Sequence, residues 1–427
     1  MISNPEFRRN IWIEMSIHRL ISMPLMLSIL LLLAYLTNGS ELNQGVAYGA
    51  QFVALVLTML WGANMASEAV LVEVREHTWD SQRMSAMPAW SLMWGKLLGS
   101  TIYTWYGTFF CVLVYLFTSE LTALMTIKSA VLIIASGLLA QALAMLLALM
   151  FIRKEDKFVR SPSILFVLFA ASTAWSFFSL AMHLEATLKW YTLSFDSINF
   201  GLISILLFLA WAWLANYRLM RAELQMNNYI WIWLSFVVFL MVYVAGFFYE
   251  IPWKPYVNLS SSLLVAFVVA TFSTYLMLFS EAKDPVNYKR LLALLTEKHW
   301  HALQGSLQCW MGALALAILS GLIFSIEMMS EGMQPMLMIA FLLFISRDIC
   351  IVLYLNFNTN RKRADMTAVF YLFVLYVVFP AIFSSIDIST GLFFPDDNKA
   401  WVSVGAALAE CTFAFWLMRR RWLRYYS

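Results

Sequence analysis

Residues 126–160 read TIKSAVLIIASGLLAQALAMLLALMFIRKEDKFVR. From Thr126 to Ile152 the only charge is Lys128, and then Arg153, Lys154, Lys157 and Arg160 follow together. A helix rises 1.5 Å per residue, so about 20 apolar residues cross a hydrocarbon core about 30 Å thick. Lys and Arg beside a span are retained in the cytoplasm. The stretch therefore reads as a membrane-crossing helix that ends on the cytoplasmic side.

The same pattern recurs outward in both directions. Similar apolar runs occupy approximately 20–37, 48–71, 97–118, 162–183 and 198–216 before the midpoint and immediately around this one. Six more lie near 229–248, 259–280, 304–326, 334–357, 366–386 and 400–418. The expected fold is all-α: a polytopic integral membrane protein of about 12 transmembrane helices. Composition agrees, since the 427 residues are 62% hydrophobic and 12% charged, with a mean hydropathy of +0.74. A soluble domain is roughly half apolar and about a quarter charged. Membrane lipids are the main solvent of this chain.

The net charge of +3 is small and the basic residues form short clusters, so nucleic acid is not an expected partner. Cys111, Cys309, Cys350 and Cys411 fall in apolar stretches with no CxxC and no His at ligand spacing, which argues against a disulfide framework or a metal site. After Arg19 the apolar run passes Tyr35 without a small-x-small cleavage site, so it reads as a retained first span.

Charge in the connections sets the orientation. One alternating set holds Arg8, Arg9, Arg19, Arg75, Arg83, Lys96, the basic run after Ile152, Arg218, Arg221, Lys283, Lys289, Arg290, Lys298, Arg361, Lys362, Arg363, Arg419, Arg420, Arg421 and Arg424. The opposite set holds only Lys128, Lys189, Lys254 and Lys399. Both termini are thus expected in the cytoplasm. Trp190, Tyr191, Trp253 and Trp401 outside, with Trp79, Trp94, Trp300 and Trp422 inside, fall where interfacial belts form.

The plan is repeated. Residues 1–220 and 221–427 each carry six spans, with a long charged cytoplasmic stretch between the second and third, 72–96 and 281–303. Each half has a compact basic loop between its fourth and fifth spans, 151–157 and 357–363. Each closes on Trp-Leu-x-x-x-Arg-x-x-Arg, namely Trp213, Leu214, Arg218 and Arg221 against Trp416, Leu417, Arg421 and Arg424. Two pseudo-symmetric six-helix halves in parallel are expected, related by an axis along the membrane normal.

Residues 73–96, EVREHTWDSQRMSAMPAWSLMWGK, add a family resemblance. The stretch resembles the loop of ABC transporter permeases of the type 2 exporter class. There an acidic residue after the second span is followed by Gly-Thr-x-Glu, a short amphipathic helix, a Pro and then Gly-Lys opening the third span. The matching positions are Glu73, Glu76, Thr78, Trp79, Asp80, Pro88, Gly95 and Lys96; His77 replaces the usual glycine and Asp80 the usual glutamate.

The resemblance implies that Glu76, Thr78, Trp79, Asp80, Arg83, Met87 and Pro88 form a coupling helix seated in a cytoplasmic ATPase. Physically the segment is a short amphipathic element that lies either on headgroups or against a partner. Lys289, Arg290 and Leu294 mark a second coupling region, similar in position alone. Residues 6–15, rich in charge, Trp and Ile, match the family's N-terminal elbow helix. The outer stretches 183–197 and 387–399 match its short re-entrant helices, although ordinary loops would fit as well.

No GxxxxGK[ST] occurs, so this chain holds no phosphate-cradling loop. The resemblance then implies no catalytic residue or cofactor here, ATP and Mg bound by a separate ATPase subunit in two copies, and an exported substrate of unnamed chemistry. It also implies the plasma membrane, specifically a bacterial inner membrane. Two other readings remain. One is an ion-gradient-driven secondary transporter of two parallel six-helix repeats; the other is a membrane-embedded lipid-modifying enzyme or scaffold.

Four charges fall inside predicted spans: Glu68, Arg347, Asp348 and Glu410. Each costs about 2.5–3.5 kcal/mol at the bilayer centre on insertion scales. Arg347 lies about ten residues from the cytoplasmic end of its span and Glu410 about nine, so both sit about 15 Å deep, able to pair. A structural ion pair and a role in substrate handling or gating both fit. Glu68 reads as bracing the loop that follows it. Gln141 stands where the repeat places Arg347, which leaves the first half uncharged at that level.

Overall fold

The computed structural model describes residues 4–84, 87–153, 163–182, 187–226, 228–249, 258–330, 335–357, 364–385, 390–395 and 400–426. Lys154, Lys157, Arg160, Lys254, Arg361, Lys362, Arg363 and Lys399, with most of both basic loops, lie outside those residues. Among the described residues eleven helices are long and apolar enough to span a membrane, and twelve when one bent pair counts as a single span. The protein is an all-α polytopic membrane protein. Its chain divides into two units, Met1–Lys189 with Ser194–Asn228, and Trp190–Leu193 with Tyr229–Ser427. The division after Asn228 comes eight residues later than the boundary at 220 read from the repeat.

The first unit opens with α1 (Pro5–Glu14). Asn4 caps it, its Oδ1 accepting from the amides of Glu6 and Phe7 at 3.0 and 3.4 Å, and Pro5 occupies the first turn, where no amide is needed. Two spans follow, α2 (Ile17–Thr37) and α3 (Gln44–Arg75). Within α3 the stretch Val56–Gly62 is π-helical. Next come α4 (Trp79–Arg83), α5 (Ala89–Ser100) and α6 (Ile102–Thr118). The third span, expected to begin at 97, is this α5–α6 pair, bent by 54° at Thr101. The spans α7 (Ala123–Ile152), α8 (Ser163–Met182) and α9 (Ser197–Glu223) complete the unit.

Helix α7 is its axis. Ala135, Ala140, Ala142, Ala144 and Ala148 are all buried, so neighbouring backbones come close in a core where dispersion and tight packing replace the hydrophobic effect. A Cβ on Gly137 would lie 2.5 Å from Thr58, and one on Gly62 would lie 2.4 Å from Gln141.

The outer stretch after α8 departs from the re-entrant helix the resemblance implies. Residues Thr187–Trp190 (β1) and Leu193–Asp196 (β2) pair as a two-stranded sheet. Tyr191 takes φ +52° in the two-residue turn. Alternating Thr, Lys and Trp, Leu and Phe suit a half-exposed strand better than a helix.

The second unit holds α10 (Trp231–Phe248), α11 (Asn258–Ser280), α12 (Pro285–Thr296), α13 (Trp300–Ser306), α14 (Cys309–Ser330), α15 (Met336–Asn356), α16 (Ala364–Ser384) and α17 (Ala400–Tyr426). The ninth span, expected from 304, starts at Cys309, because α13 is a separate short helix that breaks at Leu307. Of the outer stretch 387–399 the described part includes a single 3₁₀ turn, Thr390–Leu392. A second π-helical turn, Val374–Val378, interrupts α16.

Candidate functional sites: a buried ionic cluster and an intramembrane charge network

At its C-terminal end α3 stops in a defined way. His77 adopts φ +58°, its amide bonds the Val74 carbonyl at 3.2 Å, and the Thr78 amide bonds Glu73 at 2.9 Å. This is a Schellman closure, which favours glycine at the left-handed position. It turns the chain sharply into α4, and His77 stands where the resemblance expects Gly.

Beneath that turn lies a closed group of charges. The buried Lys96 amine donates to Glu6 at 3.0 Å and to Glu73. Arg9 donates to Glu6 at 3.0 Å and also to Glu73, and Gln82 adds a bond to Glu73. Lys96 also sits 5.6 Å from the centroid of the Trp79 ring. Two carboxylates and two cations cancel, which is what a buried group of charges requires. The residues come from α1, the end of α3, α4 and α5, so one cluster fixes four helices to one another.

Glycine makes room for it. A Cβ on Gly95 would approach Asn4 to 2.9 Å and Glu6 to 3.0 Å, and one on Gly99 would approach Asn10 to 2.9 Å. Asn4 Nδ2 donates to the Ser91 carbonyl at 2.7 Å. Thus α1 lies directly along α5.

The coupling-loop residues divide by orientation. Trp79 is buried, its Nε1 donating to Glu223 at 3.4 Å, and Arg83 Nε donates to the Glu223 carbonyl at 2.9 Å. Arg153 comes within 3.5 Å of the same carboxylate. Trp79 and Arg83 therefore tie α4 to α9 and are not its outward face. Glu76, Asp80, Met84 and Pro88 are exposed, Met87 is half-buried, and Thr78 donates to the Glu73 carbonyl at 3.2 Å. Asp80 pairs with Arg83 at 3.3 Å. Glu68 lies 3.6 Å from Arg75, near the loop. Sequence reasoning did not single out Glu6, Gln82 or Glu223. The Asn4-Pro5 cap followed by an acidic first turn was the available sign for Glu6.

In the second unit the pair α12–α13 lies between the second and third spans, as α4 does in the first. Lys289 and Arg290 are exposed and Leu294 is half-buried. Tyr288 packs 5.5 Å from Phe357 and 6.3 Å from Trp422, ring to ring, and donates to Gln308 at 2.6 Å. Burial pushes the Tyr288 phenol above its ordinary value, so it stays a donor through the physiological range.

The intramembrane charges form one network within that unit. Arg347 and Asp348 on α15 are buried; Arg347 Nε and Nη2 donate to Asp348 Oδ1 at 2.9 and 2.8 Å. Arg347 Nη1 donates to Glu410 of α17. Tyr275 of α11 and Tyr376 of α16 each donate to Asp348 Oδ2 at 2.7 Å. Arg347 also lies 4.7 Å from the Phe344 ring centroid and 5.0 Å from that of Tyr376. Tyr376 belongs to the π-helical turn, a feature enriched at functional sites.

The first unit answers with a neutral hub. Buried Gln141 on α7 accepts from Trp105 Nε1 at 3.0 Å and donates to the Thr58 carbonyl, inside the other π-helical stretch, at 3.3 Å. Asn216 of α9 adds a bond to the Ala142 carbonyl at 2.8 Å.

Comparison with protein-family models, with curated proteins and with solved structures finds no match to this chain.

Proposed function

We propose that this chain is the membrane-spanning subunit of an ATP-driven exporter in the bacterial inner membrane, worked by a separate ATPase that seats on α4. The observation that carries the reading is the Glu6–Arg9–Glu73–Lys96 cluster. It joins the elbow helix α1, the end of the second span and the start of the third beneath α4. A force on α4 is therefore transmitted to two spans at once. ATP and Mg belong to the partner, and no residue of this chain touches the reaction. The face offered to the partner consists of Glu76, Asp80, Met84 and Pro88, all exposed.

The test is affinity purification of the tagged chain in mild detergent, with mass spectrometry and an ATPase assay. The wild type is compared with an Asp80→Arg, Met84→Glu variant, which leaves the cluster untouched. A Walker-motif ATPase should accompany the wild type and be lost from the variant. A well-folded wild type that brings down no ATPase, even after crosslinking, overturns the reading.

A second reading, an ion-gradient-driven carrier, is favoured by one observation. Arg347 faces two carboxylates, Asp348 and Glu410, inside the spans, and such groups mark ion pathways in many transporters.

A further inference from the structure

Helix α12 is apolar along one sector. Successive residues turn by 100°, which places Tyr288, Leu291, Leu292 and Leu295 together and Lys289, Arg290 and Ala293 on the other side. The first part of that sector is covered by the protein, for Tyr288 and Leu291 are buried. The second part is not: Leu292 is 53% exposed and Leu295 50%, and Trp300, which opens α13, is 61% exposed.

The level of this uncovered part is fixed by its anchors. Four residues separate α11 from α12 and two separate α13 from α14. Four residues reach at most about 14 Å. Gln308 accepts from Tyr288 and donates to the Ala282 carbonyl at 3.0 Å, while Glu281 accepts from the Cys309 amide at 3.0 Å. Tyr288 meets Phe357 and Trp422, the cytoplasmic ends of α15 and α17. The apolar sector is thus pinned where spans end, and its continuation runs past the protein at headgroup height. Lys289, Arg290 and Lys298 are exposed beside it. Apolar side chains on one side and basic ones around them suit an anionic lipid surface.

We infer that α12 and the start of α13 rest on the anionic cytoplasmic leaflet, with Leu292, Leu295 and Trp300 at the boundary between headgroups and acyl chains. This segment is then a lipid foot, where its counterpart α4 is braced by ionic bonds to its own unit. The placement holds whether or not an ATPase seats on α4.

Leu295→Cys and Ala293→Cys place a bimane dye on nearly opposite sides of the same turn. The full chain is reconstituted in nanodiscs of phosphatidylcholine with phosphatidylglycerol, and the wild type is treated in parallel to subtract labelling of the native cysteines. At 295 iodide should quench at least twofold less than at 293, and a nitroxide-labelled lipid should quench strongly. Removing phosphatidylglycerol, or adding Lys289→Gln with Arg290→Gln, should weaken that lipid quenching. Equal iodide quenching at the two positions overturns the inference. So does shielding at 295 without lipid quenching, which marks a protein surface as the occupant.

Discussion

Gln141 and Arg347 are both buried, each on the fourth span of its unit. The amide is satisfied by one indole and one backbone carbonyl. The guanidinium engages two carboxylates, one of them held in turn by two phenols, drawing on α11, α15, α16 and α17. The two units therefore hold two kinds of core. A neutral hub needs few partners and relies on close backbones, whereas a charged hub recruits a ring of spans because each unmet charge in hydrocarbon is expensive.

The largest expected effect follows from that difference. Arg347→Ala leaves Asp348 and Glu410 without their cation, and breaking a buried pair costs about 3–5 kcal/mol. Thermal unfolding in detergent, followed by loss of monodisperse protein, should show a variant at the edge of folding. The neutral triple variant Arg347→Met, Asp348→Asn, Glu410→Gln should recover most of the loss. A triple variant as unstable as the single one would break the comparison, since the damage would then come from packing and not from charge.

The Glu6–Arg9–Glu73–Lys96 cluster tests the same logic at the ends of the spans. Lys96→Met strands two carboxylates, but Arg9 remains and its side chain is 45% exposed. The loss should be smaller, about 2–3 kcal/mol. Its sharper readout is proteolysis between residues 76 and 88, which should accelerate while the spans stay folded. Gln141→Leu should cost only about 1 kcal/mol, since interhelical hydrogen bonds within membranes are modest. Unfolding of the two variants on one detergent scale ranks them directly.

How far the sequence made these sites legible depends on the range of the cause. Spans are written locally, as apolar runs of membrane-crossing length, and the all-α membrane fold follows from them. The charges at 347, 348 and 410 stand out because charge in an apolar run is rare. Tyr275 and Tyr376 do not, because nothing local separates them from the other tyrosines, and their role exists only once four spans meet. Glu6 and Glu223 were hidden for the same reason: they lie 90 and 127 residues from Lys96. Trp79 illustrates a reversal of sense. Its type and place suggest an outward contact, yet the ring faces Lys96 and Glu223. A five-residue helix has too little periodicity to tell which side is buried.

The smallest expected effect concerns the turn that sets α4 in place. His77, Gln225 and Lys298 all hold positive φ at helix ends, at +58°, +55° and +55°. The His77 turn ends the span α3 and the Lys298 turn ends the non-spanning helix α12, yet both close by the same pair of bonds, since the Lys298 amide bonds the Leu295 carbonyl and the His299 amide bonds the Leu294 carbonyl. A left-handed backbone costs a residue with a Cβ about 1 kcal/mol, and glycine avoids it. His77→Gly should therefore stabilise the first unit by about 0.5–1 kcal/mol, less the entropy glycine gains when unfolded. Lys298→Gly should give a similar gain in the second. If His77→Gly instead destabilises, the imidazole makes a contribution at the turn that outweighs its strain. The turn before α4 would then differ in kind from the turn before α13, because one side chain would be holding what the backbone alone holds in the other.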